Sequence, residues 1–151
     1  MTATSACECG AERECRPLWY AALAEEQLDP IMGQWHNPLV CVFALQHASM
    51  FNPKFADGQF RFLQLFAEQG PGAVNAVARS LRAKNKGAGA DLEAPELMAY
   101  PPLPDRDLPT SFSRSIHDLT AADGEFVSDS HDAYGTRMRE LAYATIDAWR
   151  S

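Results

Sequence analysis

The first 47 residues of this 151-residue chain carry six side chains that offer sulfur or imidazole nitrogen to a metal. They are Cys7, Cys9, Cys15, His36, Cys41 and His47. Thiolate sulfur and imidazole nitrogen are the ligands that zinc prefers in proteins, usually four of them arranged as a tetrahedron. The sequence therefore predicts a metal site built from the first third of the chain.

Cys7 and Cys9 form the close pair from which many zinc sites take two ligands, and Cys15 offers a third thiolate. A regular zinc knuckle has two residues between its cysteines, whereas Glu8 alone separates these two, so the spacing is less diagnostic. The structural alternative is three unrelated thiols in a tail. We favour metal ligation because cysteines seldom cluster without a use.

His36 and His47 are the candidates for the remaining ligand. They lie eleven residues apart, which corresponds to about 16 Å along a straight helix, so one ion cannot bind both unless the helix starts at Asn37 and lets His36 fold away. Cys41 faces another side of that helix and is interpreted as an ordinary buried residue. The candidate metal ligands are therefore Cys7, Cys9, Cys15, His36 and His47.

The chain has 13 basic and 20 acidic residues, a net charge of −7. This balance argues against a general affinity for nucleic acid or anionic membranes, and leaves small molecules or proteins as partners.

The longest apolar run, Leu39 to Leu45, is far shorter than the roughly 20 residues that span a bilayer. Residues 1–6 lack the features of an export signal. We expect a soluble, cytoplasmic protein whose cysteines are free or metal-bound; its oligomeric state is left open.

The hydrophobic pattern predicts an all-α fold, a compact bundle of about five to six helices forming a single domain over residues 1–151. Residues 1–16 are predicted to be a Cys-rich loop that the metal pins to the bundle. Pro17 suits the first turn of a helix that stops at Asp29-Pro30, and Asn37 is predicted to cap the next helix. That second helix is apolar on nearly every side, so it is expected at the centre.

A third helix is predicted to start after Asp57 and to end at Gly70, and a fourth is predicted after Pro71-Gly72. Residues 85–109 read as a long Gly/Pro-rich arm, with a loose glycine end and a docked proline end. Thr110 or Ser111 is predicted to cap a short helix, and Ser128 or Ser130 a long final one. The final helix carries an apolar stripe made of Tyr134, Met138, Leu141, Thr145 and Trp149.

Several parts of the chain together resemble one known family. They are Cys7-Glu8-Cys9-Gly10, Cys15, Leu23, Glu25 or Glu26, Gly33, His36, Val40 and Leu45-Gln46-His47-Ala48-Ser49, with a weaker match at Leu108-Pro109-Thr110, Asp118 and Trp149. The chain resembles a bacterial family catalogued only as a domain of unknown function, number 5946. The family pattern has two residues between its first cysteines and a proline where this chain has Ala48. The resemblance implies that the five candidate ligands occupy the family's motif positions together, and it implies no activity.

Three functions fit these observations. The first is a small helical protein that binds a metal, with zinc expected and iron or copper as alternatives. The second is a small metal-dependent enzyme acting on a small molecule in a pocket roofed by the arm. The third is a non-catalytic metal or redox sensor, or a module that binds a protein partner. The sequence contains no phosphate loop, nucleophile elbow or paired-histidine zincin motif, so whether the protein is an enzyme stays open.

Overall fold

The computed structural model describes residues 7–85 and 94–151. Over these two ranges the chain forms six α-helices joined by short 3₁₀ turns, and no strand. The helices are α1 (Arg16–Leu28), α2 (His36–Gln46), α3 (Ala56–Gln69), α4 (Pro71–Asn85), α5 (Pro95–Met98) and α6 (His131–Arg150). The predicted all-α fold is confirmed.

Helix α2 lies at the centre of the bundle. Eight of its 11 residues are buried, and it contacts α1, α3, α4 and α6. Burying a side chain such as Leu39 or Phe43 contributes roughly 1.5–3 kcal/mol, so a helix that is apolar on every side is most stable when surrounded. The central position predicted for this helix is confirmed, and it makes α2 a rigid support for whatever follows its last residue.

Helix α6 supports the carboxyl end of α2. The predicted stripe of Tyr134, Met138, Leu141, Thr145 and Trp149 is buried. The Trp149 indole donates a hydrogen bond to the carbonyl oxygen of Leu45 at 3.0 Å. The buried Gln46 amide donates to the Thr145 hydroxyl at 3.0 Å. These bonds hold the last turn of α2 in place.

Two predicted helix caps are wrong. Asn37 does not cap α2, because the 3₁₀ turn Pro30–Trp35 runs directly into a helix that begins at His36. The Asn37 amide instead donates to Asn75 of α4 at 3.0 Å.

The short helix after residue 109 is a 3₁₀ turn over Ile116–Leu119, and its cap is neither Thr110 nor Ser111. Ser115 caps it and forms a reciprocal capping box with Asp118. That box satisfies two backbone donors at once, so a turn that begins at Ser115 is more stable than one capped by Thr110 or Ser111. Ser130 caps α6, as one of the two predicted alternatives.

Other predicted boundaries agree with the structure. Pro17 lies in the first turn of α1, and α3 ends at Gly70, whose φ is 85°. Leu97 is buried, and the Arg61 and Gln64 side chains of α3 donate to the carbonyls of Tyr100 and Pro101, so the proline end of the arm is docked.

The short helix α5 is a departure from the predicted extended arm. The glycine end of the arm, residues 86–93, lies outside the described residues. Among the described helices, none has both the length and the hydropathy required to cross a membrane.

Candidate metal centre

Four of the five candidate ligands converge on one point. The Sγ atoms of Cys7, Cys9 and Cys15 and a ring nitrogen of His47 all lie within 4.8 Å of one another. Cys7 Sγ is 3.1 Å from His47 Nε2, and Cys9 Sγ is 3.6 Å from Cys15 Sγ. Around a tetrahedral zinc with ordinary bond lengths, ligand atoms are separated by about 3.3–3.8 Å. The four donor atoms are therefore spaced for a single tetrahedral ion with little rearrangement.

A tight turn brings Cys7 and Cys9 together despite the single residue between them. The Gly10 amide donates to the carbonyl of Cys7 at 3.0 Å, and the Cys7 amide donates to the carbonyl of Ala11 at 3.3 Å. Gly10 has a φ of 93°, which glycine adopts without the steric cost that other residues incur. A Cβ on Gly10 would also lie 3.1 Å from the Cα of Ser111. Position 10 thus requires glycine for two reasons, the positive φ of the turn and the close approach of Ser111.

Cys15 joins the cluster from the start of α1. Its carbonyl accepts the first hydrogen bond of that helix, from the Trp19 amide at 2.9 Å. Cys9 and Cys15 are 1% and 0% exposed. The Phe112 amide donates to the carbonyl of Cys9 at 3.2 Å, which connects the loop to the segment before the Ile116–Leu119 turn. The two sulfurs are therefore enclosed between the loop and the helical body.

His47 enters from the opposite side, as the residue directly after α2. Its Nδ1 lies 2.8 Å from the carbonyl oxygen of Phe43. A carbonyl only accepts hydrogen bonds, so Nδ1 carries the hydrogen and Nε2 faces the sulfurs. The Phe43 ring packs against the imidazole at 4.1 Å and against the Trp19 ring at 4.3 Å. An aromatic stack thus holds the His47 imidazole from behind.

Hydrogen bonds within the cluster favour a thiolate there. The bond from the Cys15 thiol lowers the pKa of Cys9 to about 4 and raises the pKa of Cys15 above its usual range. Burial lowers the pKa of His47, but hydrogen bonds to Cys9, to the Phe43 carbonyl and to Cys7 outweigh burial and raise it to about 9. The surroundings therefore stabilise negative charge on sulfur, which is the charge that a bound cation requires.

His36 lies outside the cluster. It is the first residue of α2, at the opposite end from His47, because α2 runs from His36 to Gln46 as one helix. Its Nδ1 is 2.7 Å from Glu26 Oε2, and its side chain is 48% exposed. Cys41 is buried in the middle of α2, and burial raises its pKa to about 12. The structure thus brings four of the five candidates together and pairs His36 with a carboxylate.

Sequence reasoning missed the groups that position the ligands. The Ser49 hydroxyl donates to Glu8 at 2.6 Å and so connects the segment after His47 to the loop that carries the cysteines. The role of Phe43 is signalled only by its spacing of four residues from His47, which places the two side chains on one helix face. A carbonyl partner for a histidine at a helix end carries no sequence signal at all.

Two surface cavities flank the loop, and neither contains a cluster ligand. One of about 470 Å³ is lined by Arg13, Glu14, Pro17, Leu18, His117, Thr120 and Gly124. The other, of about 310 Å³, is lined by residues 10–13 together with residues 112–115, His117 and Asp118. His117 borders both, and its Nε2 lies 3.1 Å from the carbonyl oxygen of Arg13. The four donor atoms thus face one another and do not open into either cavity.

Comparison with known proteins identifies relatives by family only. No curated protein and no solved structure matches the chain. The sequence profile of a family of unknown function (DUF5946) matches residues 4–150. The chain therefore belongs to the family of unknown function DUF5946.

Proposed function

We propose that this protein binds one zinc ion through Cys7, Cys9, Cys15 and His47, and that the ion fixes the loop of residues 7–15 to the helical body. The observation that carries the proposal is the convergence of four donor atoms within 4.8 Å. Three of these atoms come from the loop and the fourth from the end of the central helix. A single ion would therefore cross-link two parts of the chain.

The donor set favours zinc. Three thiolates and one imidazole make up one of the usual ligand sets of structural zinc sites. The hydrogen bond from His47 Nδ1 to a backbone carbonyl is the outer-sphere contact that ligating histidines commonly make. Iron and copper accept similar ligands, and metal analysis separates them from zinc.

The geometry favours a structural ion over a catalytic one. A catalytic zinc keeps one position open for water or substrate, whereas four protein ligands complete a tetrahedron. Cys9, Cys15 and His47 are buried, and Cys7 is half-buried. A metal-dependent enzyme would require one of these four to be replaced by water.

Elemental analysis of the purified protein tests the proposal. We expect one equivalent of zinc per chain in the unaltered protein, and loss of that zinc in a Cys7→Ser/Cys9→Ser variant. Cys41→Ala is the matched control, because it removes a buried thiol outside the cluster and should leave the zinc in place. X-ray absorption should show three sulfur ligands at about 2.3 Å and one nitrogen at about 2.0–2.1 Å. Unaltered protein without metal, or a double variant with full zinc content, would contradict the proposal.

A further inference from the structure

We infer that the cysteine cluster is also a peroxide-sensitive switch, in which oxidation of Cys7 and its disulfide bonding to Cys15 expel the metal and release the loop of residues 7–15. This inference rests on the proposed zinc site and concerns its regulation. Two observations carry it: the unequal exposure of the three cysteine residues and the short separations of their sulfurs.

Cys7 is the cysteine that an oxidant can reach. It is half-buried, while Cys9 and Cys15 are almost completely covered. Its neighbour Glu8 is exposed, so this end of the cluster faces solvent. A hydroperoxide is small enough to approach a partly exposed sulfur but cannot reach one enclosed by protein. Accessible thiolates are the ones that peroxides oxidise first.

Cys15 is the suitable partner for the oxidised sulfur. Its Sγ lies within 4.8 Å of Cys7 Sγ, and seven residues separate the two positions, which allows the two Cα atoms to reach disulfide distance. Cys9 Sγ lies within the same 4.8 Å of Cys7 Sγ, but Cys9 is two positions from Cys7 inside a tight turn. A disulfide there would close a small ring across that turn. We therefore assign the bond to Cys7 and Cys15.

The chemistry balances with a hydroperoxide as the oxidant. The Cys7 thiolate attacks the peroxide, an S–O bond forms, the O–O bond breaks and hydroxide or alkoxide leaves. The Cys15 thiolate then attacks the Cys7 sulfur, an S–S bond forms, the S–O bond of the Cys7 sulfenic acid breaks and hydroxide leaves. The two thiolates together lose two electrons, the peroxide gains them, and two protons convert the leaving groups to water or alcohol. Zinc keeps its charge throughout.

The ion is expelled because the disulfide removes two of its four protein ligands. After the disulfide forms, only Cys9 and His47 remain as protein ligands, which is too few for a tight zinc site. Without the ion, the loop is held by hydrogen bonds such as Phe112 to Cys9, His117 to Arg13 and Ser49 to Glu8. The Glu8 and Arg13 contacts are exposed to water and contribute little, so loss of the ion leaves the loop weakly held and able to separate from Ser49 and His117.

The test treats zinc-loaded protein with hydrogen peroxide and follows zinc release with a chromogenic chelator. Disulfides are then mapped by mass spectrometry of peptides. We expect one zinc released per chain, together with a Cys7–Cys15 disulfide. The control Cys41→Ala should release zinc at the unaltered rate. Zinc content measured before oxidation separates the two claims: absent zinc contradicts the proposed function, whereas bound zinc that peroxide does not release overturns the switch alone.

Cys7→His gives a second, independent test. This substitution keeps a ligand at position 7, giving two cysteines and two histidines, and removes the accessible sulfur. We expect zinc release by peroxide to slow by about tenfold or more. Release at an unchanged rate, or a disulfide joining Cys9 to Cys15 in the unaltered protein, would overturn the assigned role of Cys7. If this variant binds no zinc, the disulfide map of the unaltered protein still decides.

Discussion

His47 is oriented by Phe43, one helical turn before it. The Phe43 carbonyl binds Nδ1 at 2.8 Å, and this leaves Nε2 at 3.1 Å from Cys7 Sγ. Because Phe43 lies in the buried central helix, the position of the His47 imidazole is set by the core of the bundle. The loop of residues 7–15 brings its sulfurs to a nitrogen whose place is already fixed.

Replacing His47 should abolish tight zinc binding. His47→Gln removes the only non-sulfur donor of the cluster, and we expect the affinity for zinc to fall by at least about a hundredfold. His36→Gln is the matched control, since His36 lies at the other end of α2 and pairs with Glu26. Competition with a chelator of known affinity measures both variants. An equal loss in the two variants would show that His47 is not a ligand.

Gly10 should be intolerant of any side chain. Gly10→Ala places a Cβ in a backbone with a φ of 93° and 3.1 Å from Ser111 Cα. Positive φ alone costs an alanine about 1–2 kcal/mol, and the contact adds to it. Gly124→Ala is the control, because Gly124 has a φ of 85° but open space around its Cβ.

We expect Gly10→Ala to lower the free energy of unfolding by about 1 kcal/mol more than Gly124→Ala does. Chemical denaturation of the zinc-loaded variants measures both values. Equal losses would mean that the loop moves away from Ser111 without cost.

The helical fold could be predicted because its helices have recognisable hydrophobic patterns in the local sequence. The apolar stripe from Tyr134 to Trp149 repeats at helical spacing, which predicts that α6 packs against the bundle on one face. Helix α2 is apolar all round, which predicts that it lies at the centre. The wrong cap at Asn37 has a different origin. The 3₁₀ turn before α2 merges with the helix, and residue types around a junction do not report whether the backbone stays helical across it.

The residue types of the candidate site could be predicted from the sequence, but which of the five candidate residues come together could be predicted only in part. The Cys7, Cys9 and Cys15 cluster is visible because its members are close in sequence. The choice between His36 and His47 depends on which end of α2 meets the loop, and that is decided by the packing of α1 and α6 against α2. Along a straight helix, the spacing of the two histidines excludes binding of one ion by both, but it carries no information about which of them binds.

The His36 and Glu26 pair should stabilise the protein in a defined pH range. The hydrogen bond to Glu26 raises the pKa of His36 above its ordinary value of 6.5. The stabilisation is therefore complete below about pH 6.5, provided that Glu26 stays ionised, and is lost as the pH rises through the raised value.

Because His36 is half exposed, we expect the pair to contribute about 0.5 kcal/mol. Comparing the unfolding free energies of unaltered protein and Glu26→Gln at about pH 5.5 and pH 9, both with excess zinc, measures it. A difference between the two proteins that is the same at both pH values would show that His36 is not the titrating group.

Removing the metal should release the loop and leave the helices intact. Most of the buried core is formed by side chains that are not ligands, many of them from α2, α3 and α6, and a chain of this length can fold on such a core without a metal. After treatment with a strong chelator, we expect the helical circular dichroism signal to persist and the melting temperature to fall. Hydrogen exchange should accelerate at the amides of Cys7, Gly10 and Phe112, whose bonds hold the loop. It should stay slow in α3, which contributes none of the four candidate ligands. Loss of the helical signal would instead assign the ion a role in folding the whole bundle, and unchanged exchange in the loop would mean that the loop is held without it.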